Sequence, residues 1–189
     1  AVRDATVTTT LPGDVLVTVE ERSPMLVWTT PAGSWLVDGD GRLFGSTDSV
    51  DAAELGTGAT GTTLPAVDDR RISTAMGLGS TVPPLDLQVL RLLLTITPDM
   101  LRSDAPALFL SMDDEDGYVI DAPGLWRAVF GPYTPVLRSP DIIPAQVQCL
   151  DALLAGREDI VTDVTLALSD ETCGTFRERS KPRVTPKPG

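Results

Sequence analysis

The chain has 189 residues, of which 42% are apolar and 22% charged, a composition typical of one globular domain with or without part of a second. It contains no histidine, which excludes a Ser–His or Cys–His nucleophile pair, a His-ligated zinc ion and a histidine acid or base. The net charge is −12, and residues 1–176 hold 26 acidic against 10 basic residues, so the body of the chain is a poor partner for nucleic acid or anionic lipid.

No segment of the chain is expected to span a membrane. The longest apolar stretch, residues 89–96, is interrupted by Arg91 and is far shorter than the roughly 20 apolar residues that a crossing helix needs. The chain starts at Ala1 without a charged and apolar leader. We therefore expect it to be a segment of a longer protein, with any targeting or anchoring element upstream.

The first part of the chain reads as short antiparallel strands. Residues 14–21 alternate and predict a half-buried strand, and turn chemistry at 11–14 predicts 5–10 as its hairpin partner. Apolar runs at 25–29, 34–38 and 42–44, separated by turns that contain glycine, predict a meander. Residues 45–61 are rich in small polar residues and predict a long loop.

The second part mixes helices and strands. Helical spacing of leucines predicts a helix over 86–97, and the apolar stripe Ile143, Val147, Leu150 and Leu154 predicts a second over 141–155. The predicted strands are 107–112, 117–121, 125–130, 162–168 and 174–179. The whole order predicts an α+β fold, with a largely antiparallel, sequentially wound sheet and two helices on one face.

Two acidic motifs could carry chemistry. Residues 38–41, Asp-Gly-Asp-Gly, begin like a calcium loop but lack its later ligands, so a hairpin turn is favoured. Residues 113–116 are four consecutive acids, and a pair such as Asp114 and Asp116 could serve a hydrolase only if it were buried. A solvated loop is the favoured interpretation. We predict no catalytic residue, no metal ligand and no cofactor.

Cys149 and Cys173 are the only cysteines, one on the flank of the second helix and one before the last strand. Outside the cytoplasm they could form a disulfide, and otherwise they would be two buried or half-buried thiols. The sequence leaves both possibilities open.

The last predicted strand is polar enough to lie at a sheet edge and carries Thr175, Phe176 and Arg177. An edge offers unpaired backbone groups to which a partner chain can add a strand. The alternative is that the charges at 177–179 only protect this edge. If a partner adds here, proline at Thr175 is expected to abolish binding while the fold is kept.

In their linear order, several motifs resemble the FtsQ/DivIB family of bacterial cell-division proteins. Residues 16–24 read LVTVEERSP, residues 35–44 read WLVDGDGRLF, and Leu64-Pro65 follows. In that family a Glu-Arg-x-Pro strand closes the POTRA domain, and the next motif opens a β domain. The resemblance implies that residues 1–24 are the last two strands of a POTRA-type domain, 25–179 the β domain, and 180–189 a disordered basic tail.

The resemblance also implies a function without catalysis. The family suggests a single-pass cell-membrane protein, anchored by an upstream helix, whose extracytoplasmic part serves septum formation in the divisome. Its partners would be FtsB/DivIC- and FtsL-type proteins, bound by strand addition at the C-terminal edge. Carried onto this sequence, Leu166, Leu168, Thr175, Phe176 and Arg177 are the candidate partner-binding residues.

One alternative function remains open. A secreted POTRA-related module would act on exported chains or on the cell wall, although nine aromatic residues among 189 argue mildly against stacking on carbohydrate.

Overall fold

A computed structural model describes residues 1–10, 12–47, 64–72, 76–136, 138–167 and 172–179. Within these residues the chain forms eleven strands and two α-helices, joined by turns and short 3-10 segments. The predicted α+β class, with two helices and mostly antiparallel strands, is confirmed. By the density of internal contacts the chain divides into two units, Ala1–Leu87 and Gln88–Gly189.

The first unit opens with an isolated hairpin. Strands β1 (Val2–Thr10) and β2 (Asp14–Glu21) pair with each other in a two-stranded sheet. The hairpin was predicted, but its half-buried state was wrong, because every described residue of both strands is exposed. The paired Val7 and Val17 are 61% and 55% exposed, since no described layer packs on their face.

The remaining strands of the first unit follow the predicted meander and add one strand to it. They are β3 (Pro24–Thr30), β4 (Gly33–Asp38), β5 (Leu43–Ser46) and β6 (Ala66–Asp69), in the sheet order β6-β3-β4-β5. Strand β6, which was not predicted, pairs in parallel with β3. Leu26 and Trp28 of β3 are buried because alternate residues of a strand point to the same face.

A buried charge cluster holds part of this unit together. The Asp69 side chain is fully buried, and both of its oxygens accept hydrogen bonds from Arg71, at 2.9 and 3.0 Å. Arg71 also donates to Asp86 at 2.9 Å. Burial alone would lower the pKa of the Arg71 guanidinium, but the two carboxylates outweigh it and raise that pKa.

Helix α1 (Pro84–Leu93) crosses the boundary between the two units. Its buried residues Leu87, Leu90 and Leu93 follow the predicted helical spacing. The helix ends earlier than the predicted residue 97. The backbone instead closes i to i−3 turns at Thr95 and Ile96, the tighter hydrogen-bond pattern that is common at helix C-termini.

The second unit contains the other helix and five strands. The strands are β7 (Phe109–Asp113), β8 (Gly117–Ala122), β9 (Trp126–Gly131), β10 (Val161–Leu166) and β11 (Gly174–Glu178), in sequential order across the sheet. Helix α2 (Ile143–Leu154) connects β9 to β10. These two strands run parallel. Parallel neighbours need a long crossover connection, and α2 provides it.

Helix α2 buries an apolar stripe and one polar side chain. Ile143, Leu150 and Leu154 are buried as predicted, whereas Val147 of the predicted stripe is half-buried. Gln146 is buried with the three apolar residues. Gln146 accepts a hydrogen bond from the Tyr133 hydroxyl at 2.5 Å and donates to two backbone carbonyls, at 3.1 and 3.2 Å. Its polar atoms are therefore satisfied inside the core.

The predicted division into residues 1–24, 25–179 and 180–189 stays a prediction, and the last of these segments lies outside the described residues. Of the loop predicted over 45–61, residues 45 and 46 belong instead to β5, and residues 48–61 lie outside the described residues. In the part of the chain that the structure describes, no helix combines the length and apolar character that crossing a bilayer requires.

Candidate partner-binding edge

Strand β11 ends its sheet and pairs with β10 alone. No described residue hydrogen-bonds to its outer side. Strand β5 ends the sheet of the first unit, but its outer side is covered at Leu43. Leu43 donates to the Ser80 carbonyl at 2.9 Å and accepts from Gly79 at 2.8 Å. An uncovered edge is the usual template for strand addition. The two strands of the β1–β2 hairpin are also edges, and β11 is the edge that the sequence predicted as the partner-binding strand.

The direction of the β11 backbone groups follows from its pairing. The Ala167 N–H donates to the Cys173 carbonyl at 3.3 Å, so this is a hydrogen-bonded pair. In an antiparallel ladder such pairs recur at every second residue, which turns the backbone groups of Thr175 and Arg177 toward β10. The N–H and C=O of Phe176 therefore point outward, away from the sheet.

This geometry corrects one expectation. Proline at Thr175 would remove a donor that serves the β10–β11 ladder, so it would damage the fold rather than leave it intact. Of the three predicted residues on β11, Phe176 is the one at which proline would remove an outward donor.

The inner face of the edge is anchored by one side chain. Phe176 lies opposite Val164 of β10, which is fully buried, and Phe176 itself is half-buried. The Arg157 guanidinium lies over the Phe176 ring, 5.7 Å from its centroid. The other four residues of β11 are exposed, so Phe176 supplies most of the strand's packing.

The outer face is the face of the sheet opposite the Phe176 side chain. It carries two rows of side chains, each with one residue from β9, β10 and β11. Thr165 of β10 lies opposite both Val129 of β9 and Thr175 of β11. The second row consists of Arg127, Asp163 and Arg177, again one residue from each strand. Signs alternate along this row from positive to negative to positive.

Arg127 is neutralised within the chain. Its guanidinium donates to Asp116 at 2.7 Å and lies 3.8 Å from Asp121. Burial would lower the pKa of Arg127, but the hydrogen bond and charge of Asp116 outweigh it and raise that pKa. Arg177 is exposed and forms no ion pair with any described residue. The outermost cation of the row is therefore available to a partner.

A groove runs along this outer face beside the edge. Its cavity has a volume of about 690 Å³ and is lined mainly by small or apolar residues of β9, β10 and β11, together with two acids. The lining includes Val129, Gly131, Thr165, Ala167, Thr175 and the acids Glu115 and Asp116. A side chain of an added strand could enter this space.

The two cysteines form a disulfide, which decides the question left open by the sequence. The Cα atoms of Cys149 and Cys173 are 5.0 Å apart, and the bond joins helix α2 to the residue directly before β11. Gly174 follows at a φ of +119°, and a Cβ there would lie 2.1 Å from the Thr165 carbonyl oxygen. Only glycine fits at this close approach.

The predicted site residues are only partly brought together. Thr175, Phe176 and Arg177 lie on β11 as expected, but Leu166 is 3% exposed, with part of it lining the groove. Leu168 lies outside the described residues. Val129 and Thr165 were missed, although the period-2 alternation of their strands could have indicated one exposed face.

The two acidic motifs form turns. Asp38 accepts hydrogen bonds from the backbone of Asp40 and Arg42, both at 2.9 Å, and pairs with Arg22. In the 113–116 turn, the Asp113 carboxylate accepts hydrogen bonds from the backbone N–H groups of Glu115, at 3.0 Å, and Asp116, at 2.6 Å. Among the described residues, no group of His, Cys, Asp or Glu could hold a metal ion.

No protein-family model matches the chain, and no curated protein matches it either. The described residues define a class of molecule, an α+β chain with an open C-terminal sheet edge and a groove beside it.

Proposed function

We propose that this chain is a non-catalytic, extracytoplasmic scaffold of the bacterial divisome that binds FtsB/DivIC- and FtsL-type partners by strand addition at β11. In this proposal an upstream helix anchors the full-length protein in the cell membrane. The observation that carries the proposal is the uncovered outer side of β11, where Phe176 directs its backbone N–H and C=O groups away from the sheet.

The disulfide supports an extracytoplasmic location. Cys149 and Cys173 are the only cysteines of the chain, and both are consumed by the one bond. Such bonds persist in oxidising compartments and are rare in the reducing cytosol.

The side chains around the edge define what a partner strand should carry. Opposite Arg177, an acidic residue would continue the alternation of charge that begins with Arg127 and Asp163. Beside Thr175, an apolar residue of moderate size would enter the groove. The partner is therefore an extended segment in which an apolar residue and an acidic residue face the same side.

The test measures binding of this chain to the extracytoplasmic segments of the FtsB- and FtsL-type proteins from the same organism. Phe176→Pro removes both the outward donor and the ring, whereas Phe176→Ala removes the ring alone. We expect the proline variant to bind at least tenfold more weakly than the alanine variant. Calorimetric titration gives the two affinities, and circular dichroism verifies that both variants are folded.

A second pair of variants tests the charge requirement. Arg177→Glu should weaken binding at least tenfold, while Arg3→Glu, on the exposed hairpin, removes the same charge and should leave binding unchanged. Equal affinity of Phe176→Pro and Phe176→Ala would eliminate strand addition at this edge. Equal binding of unrelated unfolded exported chains would instead favour the secreted assembly module.

A further inference from the structure

We propose that the Cys149–Cys173 disulfide is a site of thiol–disulfide exchange with a dithiol reductant, and that its opening loosens β11 from β10. The exchange itself is independent of the proposed function. Only its consequence for partner binding rests on that function.

The position of the bond points to this role. It fixes the residue directly before β11 to helix α2, which packs on β10. In the rest of β11 only Phe176 is withdrawn from solvent. The strand is thus held by its ladder with β10, by one half-buried ring and by the covalent bond at its root. Beyond its other end, Arg179 donates to the carbonyls of Ile160, Gly124 and Leu125.

Strand β10 does not depend on the bond in the same way. Val161, Val164 and Leu166 are buried, and β10 is also paired with β9 on its other side. Opening the disulfide therefore acts on the edge strand and spares the strand behind it. The disulfide therefore controls whether β11 stays paired with β10 as the edge strand, with the Phe176 ring packed against Val164.

The two cysteine residues differ in exposure. Cys173 is exposed, whereas Cys149 is half-buried on α2. A thiolate of the reductant would attack the Cys173 sulfur, forming a mixed disulfide and releasing the Cys149 thiolate. The second thiol of the reductant then displaces Cys173. Two electrons pass to the protein, leaving two cysteine thiols and one disulfide in the reductant.

The test treats the folded chain with dithiothreitol, without denaturant and without any partner. Thiol titration should detect two new thiols in the native protein. Amide hydrogen exchange at Thr175 and Arg177, whose N–H groups face β10, should become at least tenfold faster. The Val119 amide, in the interior strand β8, should keep its rate.

Two comparisons isolate the bond. The double variant Cys149→Ser with Cys173→Ser should exchange as fast at Thr175 as the reduced protein, and dithiothreitol should not change it further. Should the variant fail to fold, the reduced wild-type chain alone decides. Release of thiols only after unfolding, or unchanged exchange at Thr175 and Arg177 after reduction, would overturn the proposal.

A partner arm separates the two proposals. If the oxidised chain binds the FtsB-type segment but reduction leaves β11 protected, the exchange proposal fails and the scaffold proposal stands. If reduction loosens β11 but the oxidised chain binds no such segment, the reverse holds.

Discussion

Removing the Glu158 carboxylate should destabilise the second unit measurably. Glu158 lies between α2 and β10 and accepts three hydrogen bonds. The Trp126 indole N–H donates to it at 2.7 Å and the Asp104 backbone N–H at 2.9 Å, while the Ser103 hydroxyl is the third donor. It therefore ties the turn before β7 to the first residue of β9.

The magnitude follows from what each donor loses. Trp126 is 3% exposed, so in Glu158→Ala its N–H would stay buried without an acceptor, which costs about 1–3 kcal/mol. Ser103 and Asp104 are nearer to solvent and can turn to water, at a cost of about 0.5 kcal/mol each. We expect a loss of about 2–4 kcal/mol and a fall in the melting temperature of about 5–15 °C.

The same carboxylate predicts a pH dependence. Burial opposes its ionisation, but the hydrogen bonds from Ser103, Asp104 and Trp126 outweigh this and hold the pKa of Glu158 below its ordinary value of 4.5. A pKa lowered by folding stabilises the protein above the ordinary value, and this stabilisation is lost as the pH falls through the folded-state pKa. The difference between wild type and Glu158→Ala should therefore shrink as the pH is lowered below 4.5.

The assay is urea unfolding of both chains across this pH range, followed by tryptophan fluorescence. Asp159→Ala is the matched control, because it removes the same charge from a neighbouring exposed residue and should change stability by less than about 0.5 kcal/mol. If Glu158→Ala and Asp159→Ala destabilise the chain equally, the three hydrogen bonds do not have the assigned effect.

Two further predictions concern the core of the first unit and the root of the edge strand. Arg71→Leu should cost about 3–5 kcal/mol in urea unfolding, because it leaves the fully buried Asp69 without its cation, while Arg70→Leu, which breaks an exposed pair, should cost less than about 1 kcal/mol. Comparable losses for the two variants would contradict this. Gly174→Ala should detach β11, seen as loss of its amide protection, since the new Cβ would collide with a β10 carbonyl. The control is Gly124→Ala, where the new Cβ would meet nothing within 4 Å and the cost should be only about 1 kcal/mol of backbone strain. Full amide protection of β11 in Gly174→Ala would refute the close approach.

Local patterns carried most of the strand and helix predictions. The hairpin over β1 and β2 could be predicted because turn residues at 11–14 separate two alternating runs. The stripe of Ile143, Leu150 and Leu154 predicted α2 because helical spacing places these residues on one face. Such signals lie within a few residues of one another, so the sequence alone contains them.

The pairing of β6 and the register of β11 on β10 depend on contacts between segments that are distant in the sequence. β6 is four residues long, and its parallel pairing with β3 depends on contacts between distant parts of the chain. The outward direction of the Phe176 backbone depends on which residues of β10 it meets, since a slip of one residue reverses every group. A short stretch of sequence therefore predicts neither which strands pair nor the register in which they pair.

By itself, then, the sequence determined the α+β class, the absence of histidine chemistry and the polar character of the last strand. Tertiary structure alone decided that the two cysteines meet, that Val129, Thr165 and Thr175 share one face, and that no described residue covers the outer side of β11. The physical reason is that each of these features is a distance between residues far apart in the chain, set by how the helix α2 and its neighbouring strands pack.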